Sequence, residues 1–422
     1  MARIGPRFLR SEPRARVGQF VQAMMAGLSR TTCWSIAEHA GESDPRGMQR
    51  LLYEAVWDTD AVRDDLRSYV LEHLAAVGAV LVVDETGDVK KGTKTVGVQR
   101  QYSGTAGRVE NCQVAVYLTF ATTRGYTLID HALYLPVSWT GDSNRMKAAG
   151  VPAEVTFATK PALATTMITR ALDAGVEAAW VTGDEVYGNA PTLRATIAGR
   201  GLGFVLAIAK THSITTRIGT RHAVDHAMRP DLHWHRISAG DGAHGPRLYD
   251  WAWVETTDPA LTTDDDADAE FGGVASTGHD WLLIRRSIHT GELAFYRAHA
   301  PHPVTLKTLV GVAGSRWRIE DCFAGAKELT ALDHHQVRTW TSWHRWSLLA
   351  MIGHAILAVL TADQDPPPTG LTPLTRHEIR RLLTDLTRPA RTTEHILSWS
   401  IWRRHHQADA RASHYRRATR KT

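Results

Sequence analysis

Asp84, Asp184 and Glu320 lie far apart in a chain of 422 residues, each where a side chain can do chemistry. Asp84 closes the apolar run Val80-Leu81-Val82-Val83, and Asp184 closes Ala179-Trp180-Val181-Thr182-Gly183. Glu320 falls in Ser315-Arg316-Trp317-Arg318-Ile319-Glu320, which reads as the opening of a helix. Two carboxylates at strand ends and a third on a later helix can cage divalent cations. Mg²⁺ takes oxygen ligands, and two such ions about 3.5–4 Å apart clamp the attacking and leaving oxygens of a phosphodiester. The chemistry implied is metal-dependent cutting or transfer of nucleic acid strands.

Each acid has an acidic neighbour: Glu85, Glu185 and Asp321. Adjacent strand residues point to opposite faces, so one member of each pair meets the site. The first member is expected there; a register slip of one residue would exchange them. Asp88 reads as an auxiliary ligand or a solvated loop residue. On a helix, Arg316, Glu320 and Lys327 are spaced by four and seven and share a face. Such a face is either exposed and ion-paired or built for a metal-bound phosphate, with Arg taking phosphate oxygens in bidentate fashion. Two aspartates at strand ends favour the second. Lys90, Lys91 and Lys94, with Arg100, form a basic, Gly-containing stretch just beyond the first acid. It would steer a DNA backbone or simply be surface. Tyr102 and Tyr187 are candidates for stacking on an extruded base or for core packing.

The elements that must carry these residues change period along the chain. Residues 1–75 read as helical: Phe20, Met24, Met25 and Leu28 have helical spacing, and Ser35-Ile36-Ala37-Glu38 looks like a capping box. A turn at Gly41 and a helix from Met48 to Val56 resemble a helix-turn-helix DNA reader or a plain helical hairpin. From residue 78, Val80–Val83, Val98–Ser103, Cys112–Ala121 and Tyr126–Leu135 read as strands. Helix Pro161–Ala174, strand Ala178–Thr182, helix Pro191–Gly199 and strand Phe204–Ala209 follow. Strands first, then strands alternating with helices, predict a mixed α/β sheet in the order of the ribonuclease H-like fold. Residues 210–302 carry Trp234, Trp251, Trp253 and Trp281 in short alternating runs and the acidic stretch Asp264-Asp265-Asp266. They read as a β-rich insertion with a solvated acidic loop. Helices resume near 303, with the third acid within 303–362, and continue through a basic C-terminal region, 363–422.

Formal charge is +5, unevenly spread. Residues 371–422 hold twelve Lys/Arg against four Asp/Glu, and residues 1–20 hold five Arg against one Glu. Two basic ends on a near-neutral body suit a polyanion such as double-stranded DNA, or are solvated tails. Cys33, Cys112 and Cys322 have no paired spacing, so neither a disulfide framework nor a zinc knuckle is implied, and a reducing cytoplasm fits best. The Arg-rich start lacks the apolar core of a signal peptide. The apolar run Leu348–Leu360 is too short for a bilayer and reads as a buried helix, so no membrane partner is expected. Gly199-Arg200-Gly201-Leu202-Gly203 precedes a strand rather than a helix and is no dinucleotide fingerprint. Gly240 to Gly245 lacks the Lys-Ser/Thr of a P-loop. The pairs His334-His335 and His405-His406 are adjacent rather than four apart, so they do not support zinc protease chemistry.

Four stretches carry a resemblance. Val82-Val83-Asp84-Glu85-Thr86-Gly87 with Lys90-Lys91-Gly92 is the first, and Gly97 to Gly104 the second. Thr182-Gly183-Asp184-Glu185-Val186-Tyr187-Gly188 is the third. Ser315 to Lys327, with Leu332-Asp333-His334-His335-Gln336-Val337-Arg338, is the fourth. Together they resemble the bacterial DDE insertion-sequence transposases of the insertion sequence 701 type, over residues 10 to 362. The resemblance implies that Asp84, Asp184 and Glu320 are the metal-binding acids for two Mg²⁺ or Mn²⁺ ions. It also implies an endonuclease and strand transferase acting on terminal inverted repeats and target DNA. Related hairpin-forming cut-and-paste transposases carry a Tyr, Arg, Glu, Lys signature. Arg316, Glu320 and Lys327 match its last three positions, whereas its Tyr falls on Ala313. Pairing two DNA ends implies a homodimer on DNA, and the nucleoid as its place in the cytoplasm. A domesticated, non-cutting DNA-binding regulator and a structure-specific nuclease of the same fold are the alternatives.

Overall fold

Val80–Val83 nucleates a strand that outruns the apolar segment. In a computed structural model, which describes residues 2–242, 245–261, 278–367, 369–387 and 391–419, β1 spans Val80–Val89. The acidic stretch Asp264-Asp265-Asp266 lies outside the described residues. The chain divides into two compact units, Leu66–Ala324 and Met1–Asp65 with Gly325–Thr422.

The first of these units is built on β2 (Gln99–Ser103), β3 (Arg108–Ala121), β4 (Tyr126–Leu133), β5 (Trp180–Gly183) and β6 (Gly203–Ile208) around β1. β3 runs antiparallel to β1 along its whole length, and β4 pairs antiparallel with the second half of β3. β5 lies parallel to β1 on its other side, and β6 parallel to β5. The order β4-β3-β1-β5-β6, with that mixture of directions, is ribonuclease H-like. β1, β3, β5 and β6 are nearly all apolar and buried where they meet, as a sheet covered on both faces requires. The helices Lys160–Asp173 and Pro191–Gly199 pack together and onto β3, β4 and β6. Asp130 of β4, fully buried, accepts two hydrogen bonds from Arg170 at 2.7 and 3.0 Å and one from Arg67 at 3.3 Å, which ties the first of these helices to the sheet.

Residues 213–300 extend the same sheet. β7 (Ser213–Thr216) and β8 (Gly219–His222) form a separate hairpin. β9 (His235–Gly242), β10 (Gly245–Thr256), β11 (His279–Arg286) and β12 (Leu293–Ala300) form an antiparallel ribbon. β12 hydrogen-bonds antiparallel to β6, so the full order is β2-β3-β1-β5-β6-β12-β11-β10-β9. Ile208, Ile214, Leu282, Ile284 and Phe295 make a shared core across that junction. The helix Leu306–Ser315 then returns over β1, β5, β6 and β9. Its approach to β9 needs Gly314, because a Cβ there would sit 2.0 Å from the Ala239 carbonyl oxygen.

The other unit is helical, with Ser11–Met25, Cys33–His39, Arg46–Tyr53, Trp340–Ala362, Arg376–Thr387 and Thr393–Thr419. The expected capping box sits three residues early: Thr32 is the N-cap and Ser35 returns the second bond. The helix Trp340–Ala362 extends well beyond the apolar run and is long and apolar enough to cross a membrane, yet 78% of its apolar window is buried inside the structure. Arg345 on it donates to the carbonyls of Leu51, Leu52 and Trp57, and its guanidinium lies 4.7 Å from the Trp57 ring.

Candidate active site

Strand register brings the first two acids together. Val80 pairs with Trp180 and Val83 with Gly183 in parallel, so Asp84 and Asp184 are the next residues on adjacent strands. The two behave differently from there. Asp84 lies inside β1, which stays paired with β3 for five more residues, so the expected strand end is only the end of its pairing with β5. Asp88 is likewise strand, not loop. At Asp184 the chain turns into the short helix Glu185–Gly188, and the Asp184 carboxylate accepts from Val186 N at 2.9 Å as its N-cap. Gly188 permits this turn to dock on β6, since a Cβ there would fall 1.9 Å from the Ala207 carbonyl oxygen.

Arg316 joins the third acid to the first. It stands at the joint between the helices Leu306–Ser315 and Trp317–Thr330. One guanidinium nitrogen donates to Asp84 Oδ2 at 3.3 Å and the other to Glu320 Oε1 at 2.8 Å. Asp84 is 14% exposed at its side chain and Glu320 is 58% exposed, so the bridge runs from the sheet interior to the surface.

Glu85 points to the opposite face of β1, as alternation demands. It accepts from Lys160 Nζ at 2.6 Å and from the buried Tyr187 hydroxyl at 2.6 Å. Tyr187 is therefore a packed anchor rather than a stacking platform, while Tyr102 is exposed. Glu85, Lys160 and Tyr187 were not legible as a cluster, because their sequence separations are 75 and 102 residues. Asp321 accepts from the Tyr126 hydroxyl at 2.8 Å and Glu185 is exposed, so neither neighbour replaces the expected acid in these contacts.

The electrostatics follow from that crowding. Burial first, then the facing Asp184 carboxylate, push Asp84 up to about 7 despite Arg316. Burial and Glu85 push Asp184 upward as well. Burial, with Glu85 next, holds the Tyr187 phenol well above its usual value. Two half-buried carboxylates forced together by strand register would be stabilised by a cation, and their all-oxygen donor set suits Mg²⁺ or Mn²⁺. Among the described residues no three His, Cys, Asp or Glu side chains close into one ligand group. Glu320 is turned to Arg316 instead, and Glu85 to Lys160 and Tyr187.

The remaining expected residues are dispersed. Lys91 and Lys94 are exposed in the loop after β1, and Arg100 is exposed on β2. Five strand residues past Asp84 put that loop about 17 Å further along β1. Lys90 precedes them, its carbonyl accepting from the Asn111 side chain. Lys327 lies in the last turn of the helix Trp317–Thr330, among residues of the helical unit.

A sequence model described as DDE superfamily endonuclease matches residues 4–237, more than half of the chain. The chain belongs to this DDE endonuclease family. The resemblance to insertion-sequence transposases is supported by a curated relative, the "Probable transposase for insertion sequence element IS701" of Microchaete diplosiphon. That relative is 28% identical over 192 residues, covering 45% of this chain and 47% of its own length. The chain thus spans about half the length of that relative. Among solved structures, a piggyBac transposase synaptic complex with hairpin DNA aligns over 93% of this chain and 76% of its own, at 10% identity and a TM-score of 0.45. The NurA nuclease from Sulfolobus solfataricus aligns over 70% and 90%, at 9% identity and a TM-score of 0.26. Within the DDE endonuclease family match lie both strand acids, Asp84 and Asp184, whereas Glu320 lies outside it.

Proposed function

We propose that this DDE endonuclease is a DNA transposase that cleaves phosphodiesters at insertion-sequence ends and joins the freed 3′-hydroxyls to target DNA. The observation that carries this reading is the juxtaposition of Asp84 and Asp184 by parallel register, with Arg316 linking Asp84 to Glu320. Asp84 and Asp184 would hold two Mg²⁺ or Mn²⁺ ions, with Glu320 completing the ligand set once it leaves Arg316. Bound ions of this kind supply Lewis acidity and an activated oxygen nucleophile. Arg316, at the mouth of the acids, offers a forked donor to a phosphate oxygen. Lys90, Lys91, Lys94, Arg100 and Lys327 would contact the DNA backbone. The helical N-terminal region (residues 1–76) and the basic C-terminal region (363–422) would add grip on DNA, with two copies of the chain pairing two ends. Residues 77–209 and 303–362 would form the catalytic core, with the insertion at 210–302.

The test is cleavage of labelled DNA carrying the inverted repeats that flank the native locus, in Mg²⁺, Mn²⁺ or EDTA. Wild type should cut at the repeat ends only with metal, and Asp84→Ala and Asp184→Ala should not cut while still binding the repeats. Full cleavage by Asp184→Ala would overturn the assignment. Repeat binding without cutting in every metal would establish instead a domesticated DNA-binding regulator.

A further inference from the structure

The parallel pairing that brings the two strand acids together stops one residue short of them, at Val83 and Gly183. Asp84 stays fixed beyond that point because β1 remains paired with β3. Asp184 sits where the backbone leaves β5 and enters the short helix Glu185–Gly188. Three amides of that turn are bonded back to it, Val186 N to its carboxylate at 2.9 Å and Tyr187 N and Gly188 N to its carbonyl at 3.2 and 3.0 Å. Where the turn sits therefore decides where the second acid sits.

Tyr187 ties this turn to β1. Its side chain is fully buried, and its hydroxyl donates at 2.6 Å to Oε2 of Glu85, the residue next to Asp84. Gly183 gives the tyrosine room, since a Cβ there would fall 3.3 Å from the Tyr187 Cβ and 2.9 Å from a Val83 methyl. The other Glu85 oxygen accepts from Lys160 Nζ, also at 2.6 Å. Lys160 is the first residue of the helix Lys160–Asp173, where a cation opposes the helix dipole. Its ion pair with Glu85 offsets that placement. A carboxylate whose two oxygens both take short hydrogen bonds, one of them from a cation, cannot turn without breaking one. β1, the Asp184 turn and that helix thus meet on a carboxylate that is not one of the three expected acids.

We infer that Tyr187 and Lys160, acting through Glu85, are positioning residues that hold the Asp184 turn against Asp84 before a metal ion arrives. Ligands held in place in the empty site spare the ordering that ion binding would otherwise have to supply. The inference deepens the transposase reading and rests on it for the use made of the ion. The tether itself rests on the two contacts to Glu85.

The experiment has two arms on the full chain, each run well below the melting temperature of every variant. Tyr187→Phe deletes only the hydroxyl, and Lys160→Met deletes the charge while keeping an apolar stem. In the first arm, hydrogen exchange over residues 184–190 is read in EDTA by mass spectrometry. Exchange there should quicken about tenfold in Tyr187→Phe, the scale of one lost hydrogen bond to a charged group, while exchange in β5 stays unchanged. In the second arm, calorimetric titration with Mn²⁺ alone should give an affinity lower by about tenfold or more in both variants, the scale on which groups that orient metal ligands matter. A Tyr187→Phe variant that exchanges like wild type, or that binds Mn²⁺ as tightly as a wild type that takes it up, would overturn the tether. Exchange that quickens equally in β5 and in the turn would overturn it too, because the hydroxyl would then stabilise the fold without placing Asp184. Failure of the transposase reading looks different: Mn²⁺ would bind Asp184→Ala as well as wild type, or bind neither, while the exchange arm still reports the tether.

Discussion

Arg316 places one guanidinium nitrogen on Asp84 and another on Glu320, so any divalent cation taken up by these acids has to compete with it. Arg and metal neutralise the same oxygens, but only the metal supplies an activated nucleophile. Replacing Arg316 with Ala should therefore separate two effects. The Mn²⁺ concentration for half-maximal cleavage should fall, because the competing cation is gone. The maximal rate should drop about 100-fold or more, the scale on which a preorganised donor to developing charge matters. Arg316→Lys should recover part of the rate, since one ammonium cannot span two carboxylates. An unchanged metal requirement in Arg316→Ala would remove this role. At this scale the meeting of Asp84 with Asp184 was legible, because each carboxylate directly follows an apolar run and the two runs pair in register. Glu85 was not, because its partners Lys160 and Tyr187 are set by topology rather than by local pattern.

The turn that carries Asp184 is braced from behind. Arg194, 4% exposed, donates to the Gly188 carbonyl at 2.7 Å and to both oxygens of Asp258 at 2.6 and 3.1 Å. Arg297 of β12 lies 3.6 Å from the same carboxylate. The brace thus links the helix Pro191–Gly199, the turn after the second acid and the strand that joins the extension to the core. Removing one partner of a buried pair leaves the other charge uncompensated, so Arg194→Ala or Asp258→Asn should cost about 3–5 kcal/mol in urea unfolding. Burial would raise Asp258, but Arg194 and Arg297 outweigh it and hold the carboxyl below its ordinary range. A depressed acid contributes stability above its unfolded value, roughly pH 3.9, and loses it as pH falls through its folded value. The gap between wild type and Asp258→Asn should accordingly persist at neutral pH and close only below about pH 4. A gap that closed near pH 7 would mean the pair is not what stabilises this junction. Strand and helix positions in this region were readable from period, as for Pro191–Gly199. The joining of β12 to β6 was not, because it pairs residues about ninety positions apart and leaves no local trace.

Over the whole chain the positive charge gathers at the two ends, and the basic C-terminal region read either as a DNA-binding end or as a solvated tail. The structure makes part of it a folded component of the helical unit. Trp399, 1% exposed, donates to the Glu42 carbonyl at 2.8 Å, Trp402 packs edge-on to Trp34 at 4.7 Å, and Arg403 pairs with Glu38 at 2.7 Å. Composition could report the charge but not these contacts, which depend on which face of the helix Thr393–Thr419 is apolar in three dimensions. Deleting residues 371–422 would confound lost charge with a damaged core. The informative change is Arg381→Gln with Arg391→Gln and Arg404→Gln, three exposed cations away from those contacts. Each Arg that meets a phosphate of duplex DNA contributes about 0.9 to the slope of log affinity against log salt. The triple variant should therefore bind repeat DNA with a slope shallower by about 1–3 at an unchanged melting temperature. A shallower slope makes the outer face of this terminal region part of the DNA track. An identical slope confines the track to the remaining surface, and leaves Trp399, Trp402 and Arg403 as what these residues contribute.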